Sequence, residues 1–250
     1  AAATGKLFGV RSLADDLQAN LSMTASSSTN PIADRIATVT AELPPTVRLI
    51  GVSKKQPVSA IQTAYQAGLR DFGESMVQEA IAKQTELADL DDITWHLIGH
   101  LQSNKARKAL EHFDWIHAVD SLKIANRLDK IAGEISRSPY CCLQVKMVPD
   151  PAKFGFTLEE LWSALPQLNQ LTHLKIVGLM TIPPLASSMA EVEAIFQRAK
   201  LLADQINQQG FDRVHISELS MGMSGDYPVA IAAGATLIRL GTTLFGDRPA

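Results

Sequence analysis

Ser220-Met221-Gly222-Met223-Ser224-Gly225-Asp226 and, a short helix further on, Leu240-Gly241-Thr242-Thr243-Leu244-Phe245-Gly246 are the stretches that decide the fold. Each follows a strand-like run, Val214 to Leu219 for the first and Thr236 to Leu240 for the second. Both are loops of small residues directly after what read as the last two strands. In an eight-stranded α/β barrel, the loops after strands seven and eight are where phosphate groups most often bind. Glycine lets the backbone approach an anion closely, and serine or threonine hydroxyls join backbone N–H groups in holding it.

Working back toward the N-terminus, strand-like runs and helical patterns alternate from Pro31 onward without a composition break. The strands fall at Val47–Lys54, Leu69–Gly73, Thr94–Ile98, Trp115–Val119, Cys141–Val148 and Lys175–Met180, ahead of the final two. An opening helix fits Pro31 to about Leu43, and Pro44-Pro45 stops it. Ser75 and Asp120 or Ser121 are candidate helix caps, and Thr157-Leu158-Glu159-Glu160 reads as a capping box. Alternating strands and helices argue for a parallel sheet, and a count of eight favours a closed (β/α)8 barrel of the TIM type. The expected organisation is therefore a single α/β barrel domain over residues 31–250 with an extra N-terminal helix. Residues 1–30, where Ala1-Ala2-Ala3 and Ser26-Ser27-Ser28-Thr29-Asn30 are small and polar, are expected to form a flexible extension, within which Met23 is a candidate natural start. Asp15-Asp16 argues against an organelle transit peptide there.

Composition excludes several classes. A hydrophobic fraction of 46% and a charged fraction of 20% are ordinary for a globular protein. The net charge of −3 gives no polyanion-binding surface, so nucleic acid is not an expected partner. No apolar run reaches the roughly 18 to 20 residues of a spanning helix, so no membrane partner is expected either. Cys141 and Cys142 are adjacent in one strand and point to opposite faces, which argues against a disulfide and for buried thiols in a reducing compartment. Neither a Gly-x-Gly-x-x-Gly turn nor a Walker-type lysine loop supports a dinucleotide or ATP.

The other half of the chemistry sits at the far end of the chain. Lys54 and Lys55 close the first strand, where ligand groups of this fold collect, although a lysine at a strand end is ordinarily just solvated. Lys54 shares a face with Val52 and Ile50, Lys55 with Ser53 and Gly51, and the pattern does not choose between them. A lysine that attacks an aldehyde must be neutral, whereas a free lysine has a pKa of about 10.4, so apolar surroundings favour the role. A lysine on strand one facing a phosphate site on strands seven and eight is the layout of a pyridoxal 5'-phosphate (PLP) barrel. Arg239 reads either as a structural ion-pair partner or as a fixed charge near the phosphate or the pyridine ring. A cation beside the ring nitrogen would disfavour its protonation and weaken the cofactor as an electron sink. Glu74 suits either the barrel mouth or a helix start. His96 and His100 lack a third metal ligand at helical spacing, so packing or hydrogen bonding is expected of them. Asn104-Lys105-Ala106-Arg107-Lys108 reads as a solvated helix face. Met180, Met221 and Met223 either pack on a flat ring or fill gaps.

These residues resemble the pyridoxal-phosphate homeostasis proteins, single-domain relatives of the alanine racemase N-terminal barrel. The likeness runs from about Ile32 to Gly246. It rests on Gly51-Val52-Ser53-Lys54, Phe72-Gly73-Glu74, Trp95 through Lys105, Lys153-Phe154-Gly155, Gly178 through Ile182, Glu218 through Ser224, and Arg239-Leu240-Gly241-Thr242. The resemblance implies that Lys54 holds PLP as a Schiff base. It also implies that Ser220, Gly222, Ser224, Gly241 and Thr242 cradle the phosphate with Arg239 close by, and it adds Met180 and Ser75 to the site. Ser75 stands where the family often has asparagine. The resemblance further implies a monomeric cytoplasmic protein that balances vitamin B6 and amino-acid pools, with PLP-dependent apoenzymes as recipients and no metal.

Two other readings compete. A PLP-dependent amino-acid racemase needs an acid–base group on each face of the substrate carbon. Among Tyr65, Tyr140 and Tyr227, only Tyr227 is placed to oppose Lys54. Alanine racemase takes its tyrosine from a second domain; none is expected here, and the more open mouth expected without it suits a carrier better than a carbanion catalyst. The third reading is a phosphate-binding barrel in which Lys54 contacts an anion without a covalent bond.

Overall fold

The structure, a computed structural model, describes residues 30–247. Expectations about the N-terminal extension and the start at Met23 fall outside the described residues. The eight strands are β1 (Arg48–Val52), β2 (Asp71–Glu74), β3 (Thr94–Leu97), β4 (Trp115–Val119), β5 (Tyr140–Gln144), β6 (Lys175–Met180), β7 (Val214–Ser220) and β8 (Leu237–Leu240). They pair in parallel in sequence order, and β8 returns to β1 to close the barrel. The closing register sets Ile50 against Arg239 and Gly51 against Leu240, so the end of β1 lies beside the end of β8.

Helices follow the strands: α1 (Pro31–Glu42) before β1, then α2 (Val58–Gln66), α3 (Val77–Glu86), α4 (Ala106–His112), α5 (Leu122–Glu134), α6 (Leu158–Leu168), α7 (Met189–Asn207), α8 (Tyr227–Ala232) and α9 (Thr242–Phe245). Local chemistry fixes several starts. Ser121 accepts from the Ile124 N–H at the head of α5, and Thr157 with Glu160 forms the expected capping box on α6. Burial then does the rest. One core lies between the strands and the helices and includes Phe72, Leu97, Ile116, Leu128 and Phe196. A second, smaller one fills the barrel lumen with Ile50, Trp115, Ala118, Cys142, Met180 and Leu237. Each large apolar side chain so buried contributes about 1.5–3 kcal/mol. Cys141 belongs to the outer core and Cys142 to the lumen, the alternation that the strand pattern requires.

The sequence expectations differ from the structure in several places. The first strand ends at Val52, so Lys54 and Lys55 lie in the turn beyond it rather than closing it. Ser75 does not cap α3: Met76 occupies the N-cap position without a side-chain hydrogen bond. The Ser75 main chain instead packs so closely on Gly99 that a Cβ there would overlap it. The fifth strand ends at Gln144 rather than Val148, because the chain beyond it pairs with its own returning loop. Lys146 N–H donates to Phe156 O at 2.8 Å and Phe156 N–H to Gln144 O at 2.8 Å. Finally, α9 is too short to show periodicity, yet it buries Leu244 and Phe245 and accepts an Arg35 Nε–H bond from α1 at 2.8 Å. The opening helix thus packs on α2 and α9 at the flank where the barrel closes.

Candidate functional site

The turn after β1 is tied down from behind. Ser53 Oγ donates to Glu74 Oε1 at 2.6 Å, and Lys83 Nζ donates to Ser53 O at 2.8 Å, to Glu74 Oε1 at 2.8 Å and to Glu79 Oε1 at 2.7 Å. The Lys55 N–H donates to Glu79 Oε1 at 2.5 Å. Lys54 lies between these two anchored residues, in the turn beyond β1. Lys54 is half-buried and Lys55 exposed. Lys55 has φ 60°, a left-handed conformation that costs a non-glycine residue about 1–3 kcal/mol. The strain sits on the residue next to the candidate anchor, held there by Glu79.

Glu74 therefore does not face the mouth. It is fully buried in this cluster, and burial raises its carboxyl above the usual range although Lys83 and Ser53 pull it back. Its Oε2 has no hydrogen-bond partner. Glu79 goes the other way: partial burial raises it, but Lys83 and the Lys55 N–H outweigh that and leave it lowered. Lys83, Ser53 and Glu79 were not singled out from sequence. A lysine on the inner face of an amphipathic helix, four residues after a glutamate, was the available signal.

The β7–α8 and β8–α9 loops meet each other. Thr243 N–H donates to Ser224 Oγ at 3.3 Å, and Arg239 N–H donates to Gly222 O at 3.0 Å. Gly222 has φ 94°, and a Cβ there would come within 2.6 Å of Ala230 Cβ, so this turn accepts only glycine. Gly241 sits next to β1, with Val52 Cβ about one van der Waals contact (3.7 Å) from where its Cβ would be. Ser224 and Gly241 are half-buried and Thr242 is exposed at the rim. The closed barrel thus brings Lys54, Ser224, Gly241 and Thr242 to one sector, at the exits of β1, β7 and β8.

Below that sector lies a buried cation. Arg239 is only 4% exposed, and its guanidinium donates to Ser220 Oγ at 2.6 Å and to Thr181 O at 3.3 Å. Both acceptors are neutral, and among the described residues Arg239 forms no ion pair. The expectation of a structural salt bridge is thereby set aside. Burial pushes its pKa down to about 10, so it remains charged at neutral pH. A charge removed from water without a counter-ion is costly, and an incoming anion or polar ring repays that cost.

Ser220 is fully buried, and its hydroxyl joins Arg239 to His117 Nδ1 at 2.7 Å. His117 Nε2 meets His96 Nδ1 at 2.9 Å, and His96 Nε2 meets Asp71 Oδ1 at 2.9 Å. Burial holds His96 below and His117 well below the ordinary imidazole value. His96 was expected to pack or hydrogen-bond and does both, stacking on Trp115 at 5.7 Å. His117 escaped notice, although a histidine inside the apolar run Trp115-Ile116-His117-Ala118-Val119 was the available signal.

Met180 ends β6 in the lumen beside Ile50 and Leu237, under the mouth. Ser75 stands at the β2 exit, beyond β1 from the two glycine-containing loops. Tyr65 donates to Asp92 Oδ1 at 2.5 Å on an exposed flank and Tyr140 begins β5, so Tyr227, the first residue of α8 after the β7 loop, is the one tyrosine of three on the mouth side. His100 bonds Asp120 at 2.7 Å and stacks on Phe154. Those two line a separate cleft of about 1120 Å³ with Lys123, Lys146 and Gln167. That cleft contains none of the predicted site residues and no buried charge without a partner, so the chemistry points to the β1, β7 and β8 exits. Among the described residues no group of three or more His, Cys, Asp or Glu is arranged for a metal ion, and no helix is long and apolar enough to cross a membrane.

Comparison with known proteins agrees with this geometry. The family described as alanine racemase, N-terminal domain, matches residues 28–249. The pyridoxal phosphate homeostasis protein of Synechocystis is 56% identical over 210 residues, covering 84% of this chain and 95% of the relative. That of Pseudomonas aeruginosa is 43% identical, covering 87% and 96%. The solved structure of Synechococcus elongatus PipY with PLP bound is 57% identical, with a TM-score of 0.83, and covers 86% of this chain and all (100%) of PipY. An alanine racemase of Clostridium difficile, at 15% identity and a TM-score of 0.69, shares the fold. A closed parallel barrel, a strained turn after β1, two linked loops after β7 and β8, and relatives of this similarity all agree: the chain belongs to the pyridoxal phosphate homeostasis protein family.

Proposed function

We propose that this chain binds PLP at the exits of β1, β7 and β8 and holds it through Lys54, in the service of vitamin B6 and amino-acid homeostasis. The observation that carries the reading is Arg239, a buried guanidinium bonded only to neutral oxygens beneath that sector. PLP supplies an aldehyde and a phosphate on one flat ring. Lys54 Nζ condenses with the aldehyde carbon and water leaves. Ser224, Gly241 and Thr242 are the groups suited to the phosphate, and Gly222 permits the turn that presents them. The Ser220 hydroxyl is committed to Arg239 and His117, so we assign it to holding Arg239 rather than to the phosphate. Arg239 has no acceptor to offer, so beside the ring nitrogen it would keep that atom unprotonated. Met180 gives the ring an apolar floor, and Ser75 offers a polar contact from the β2 side.

A weakened electron sink favours retention of the cofactor over carbanion chemistry, which supports a carrier and regulator rather than a racemase. In the same reading the protein is a cytoplasmic monomer that passes PLP to dependent apoenzymes. The test is the visible spectrum of Lys54→Ala beside that of the parent protein. Loss of the imine band with residual, phosphate-dependent PLP binding is expected. Covalent PLP persisting in the variant would overturn the lysine assignment, and an amino-acid turnover assay on the parent protein decides against racemisation if no isomer forms.

A further inference from the structure

We infer that His96 and His117 are positioning residues that link the Asp71 carboxylate at the N-terminal end of the barrel to Ser220 and Arg239 at its mouth through one chain of aligned hydrogen bonds. The inference deepens the reading above, because its consequence falls on Arg239.

The direction of every bond follows from its two ends. Arg239 can only donate, so Ser220 Oγ accepts at 2.6 Å. The Ser220 hydrogen has one other partner, His117 Nδ1 at 2.7 Å, which is thereby an acceptor. A neutral imidazole that accepts on Nδ1 carries its proton on Nε2, so His117 Nε2–H donates to His96 Nδ1 at 2.9 Å. His96 in turn must carry its proton on Nε2, which meets Asp71 Oδ1 at 2.9 Å. A carboxylate accepts there, as the other end of the chain requires. Started from Asp71, the same reasoning yields the same tautomers in reverse. The two derivations meet without an unpaired lone pair or an opposed pair of hydrogens.

The chain climbs the lumen. Asp71 is the first residue of β2, His96 and His117 sit mid-strand on β3 and β4, and Ser220 is the last residue of β7. Arg48, first on β1, approaches Asp71 at 3.6 Å and lies over the Trp115 ring on which His96 stacks. Both histidines are fully buried, and burial keeps them neutral. Bonds aligned head to tail in a low dielectric polarise one another. The carboxylate at one end therefore strengthens Ser220 as an acceptor at the other. That supplies Arg239 with part of the negative potential that its neutral neighbours lack, and fixes its side chain before any ligand arrives. If either histidine took up a proton, two donors would face each other and the His117–Ser220 bond would have to reverse.

The test uses full-length protein without added ligand, with nitrogen-15 in histidine and arginine. At pH 7.5 the expected spectrum shows both His96 and His117 neutral with Nε2 protonated, and slowly exchanging Arg239 guanidinium protons. His117→Phe removes the acceptor for Ser220 and should speed that exchange at least about tenfold. His117→Asn, which keeps an acceptor oxygen near the Nδ1 position, should restore most of the protection. Titrated with PLP, the Phe variant should bind about tenfold more weakly than the parent and the Asn variant within a few fold. An Nδ1-protonated or doubly protonated His96 or His117 in the parent overturns the chain of bonds. Unchanged Arg239 exchange in His117→Phe overturns its action on Arg239. A parent protein that shows the tautomers and the slow exchange but binds no PLP would sink the cofactor reading and leave this inference standing.

Discussion

Lys83 and Arg239 are both buried cations, 7% and 4% exposed, and their surroundings could hardly differ more. Lys83 is bonded to two carboxylates and a carbonyl, a closed cluster that spans β1, β2 and α3. Arg239 has a hydroxyl and a carbonyl, and no carboxylate bonded to it. A charge compensated inside the fold is part of the scaffold, whereas one left short of a counter-charge is a binding device. In the proposed reading the two regions divide the labour around Lys54: the first anchors the turn that carries it, and the second receives the cofactor.

If that contrast is right, breaking the scaffold should cost stability, and breaking the binding device should cost affinity. Lys83→Met leaves Glu74 and Glu79 without their cation, and should destabilise the fold by about 3–5 kcal/mol in urea unfolding. Adding Glu74→Gln to that variant should recover part of the loss; an unchanged midpoint for Lys83→Met would show that the cluster is not structural. Arg239→Gln should leave the unliganded protein as stable or more so, because it removes a buried charge with neutral partners only. The same variant should weaken PLP binding by about 1.5–3 kcal/mol, roughly ten- to a hundredfold, in equilibrium dialysis. Equal loss of stability in both variants would erase the distinction.

The lumenal histidines give a pH signature. Their folded-state values are depressed by burial, so the unfolded chain takes up protons that the folded chain refuses once the pH falls below about 6.5. Stability present above that pH should decline as it is lowered, by up to about 1.4 kcal/mol per unit for each histidine. Urea midpoints between pH 7.5 and 5.5 measure it, and His117→Phe should flatten the slope. A slope identical in parent and variant would mean that other groups carry it. The smallest effect belongs to Ser224→Ala, which removes one acceptor linking the two loops at 3.3 Å. About 0.5–1.5 kcal/mol of binding should go, with little change in unfolding.

Much of the scaffold was legible in the residues and less of the site. The eight strands, the lumenal and outer faces of Cys141 and Cys142, and the caps at Ser121 and Thr157 follow from periodicity and local hydrogen bonding, which are properties of neighbouring residues. Ser75 misled as a cap because its backbone is engaged by Gly99, a contact made across two strands. Lys54 could be nominated from its strand-end position and from the resemblance; the structure adds that it is half-buried where Lys55 is exposed. The resemblance names Ser220 as a phosphate ligand; its hydroxyl bonds His117 on β4, 103 residues away along the chain, a partner that no local pattern announces. His117 and Asp71 stayed hidden for the same reason. A hydrogen-bonded chain drawn from β2, β3, β4, β7 and β8 exists only once the barrel closes.

The most direct test of the account is borohydride reduction of the PLP-loaded protein followed by peptide mapping. Reduction should fix one pyridoxyl group on the peptide that contains Lys54, at Lys54 itself rather than Lys55. A label on Lys55, on Lys153 or on no lysine at all would contradict it.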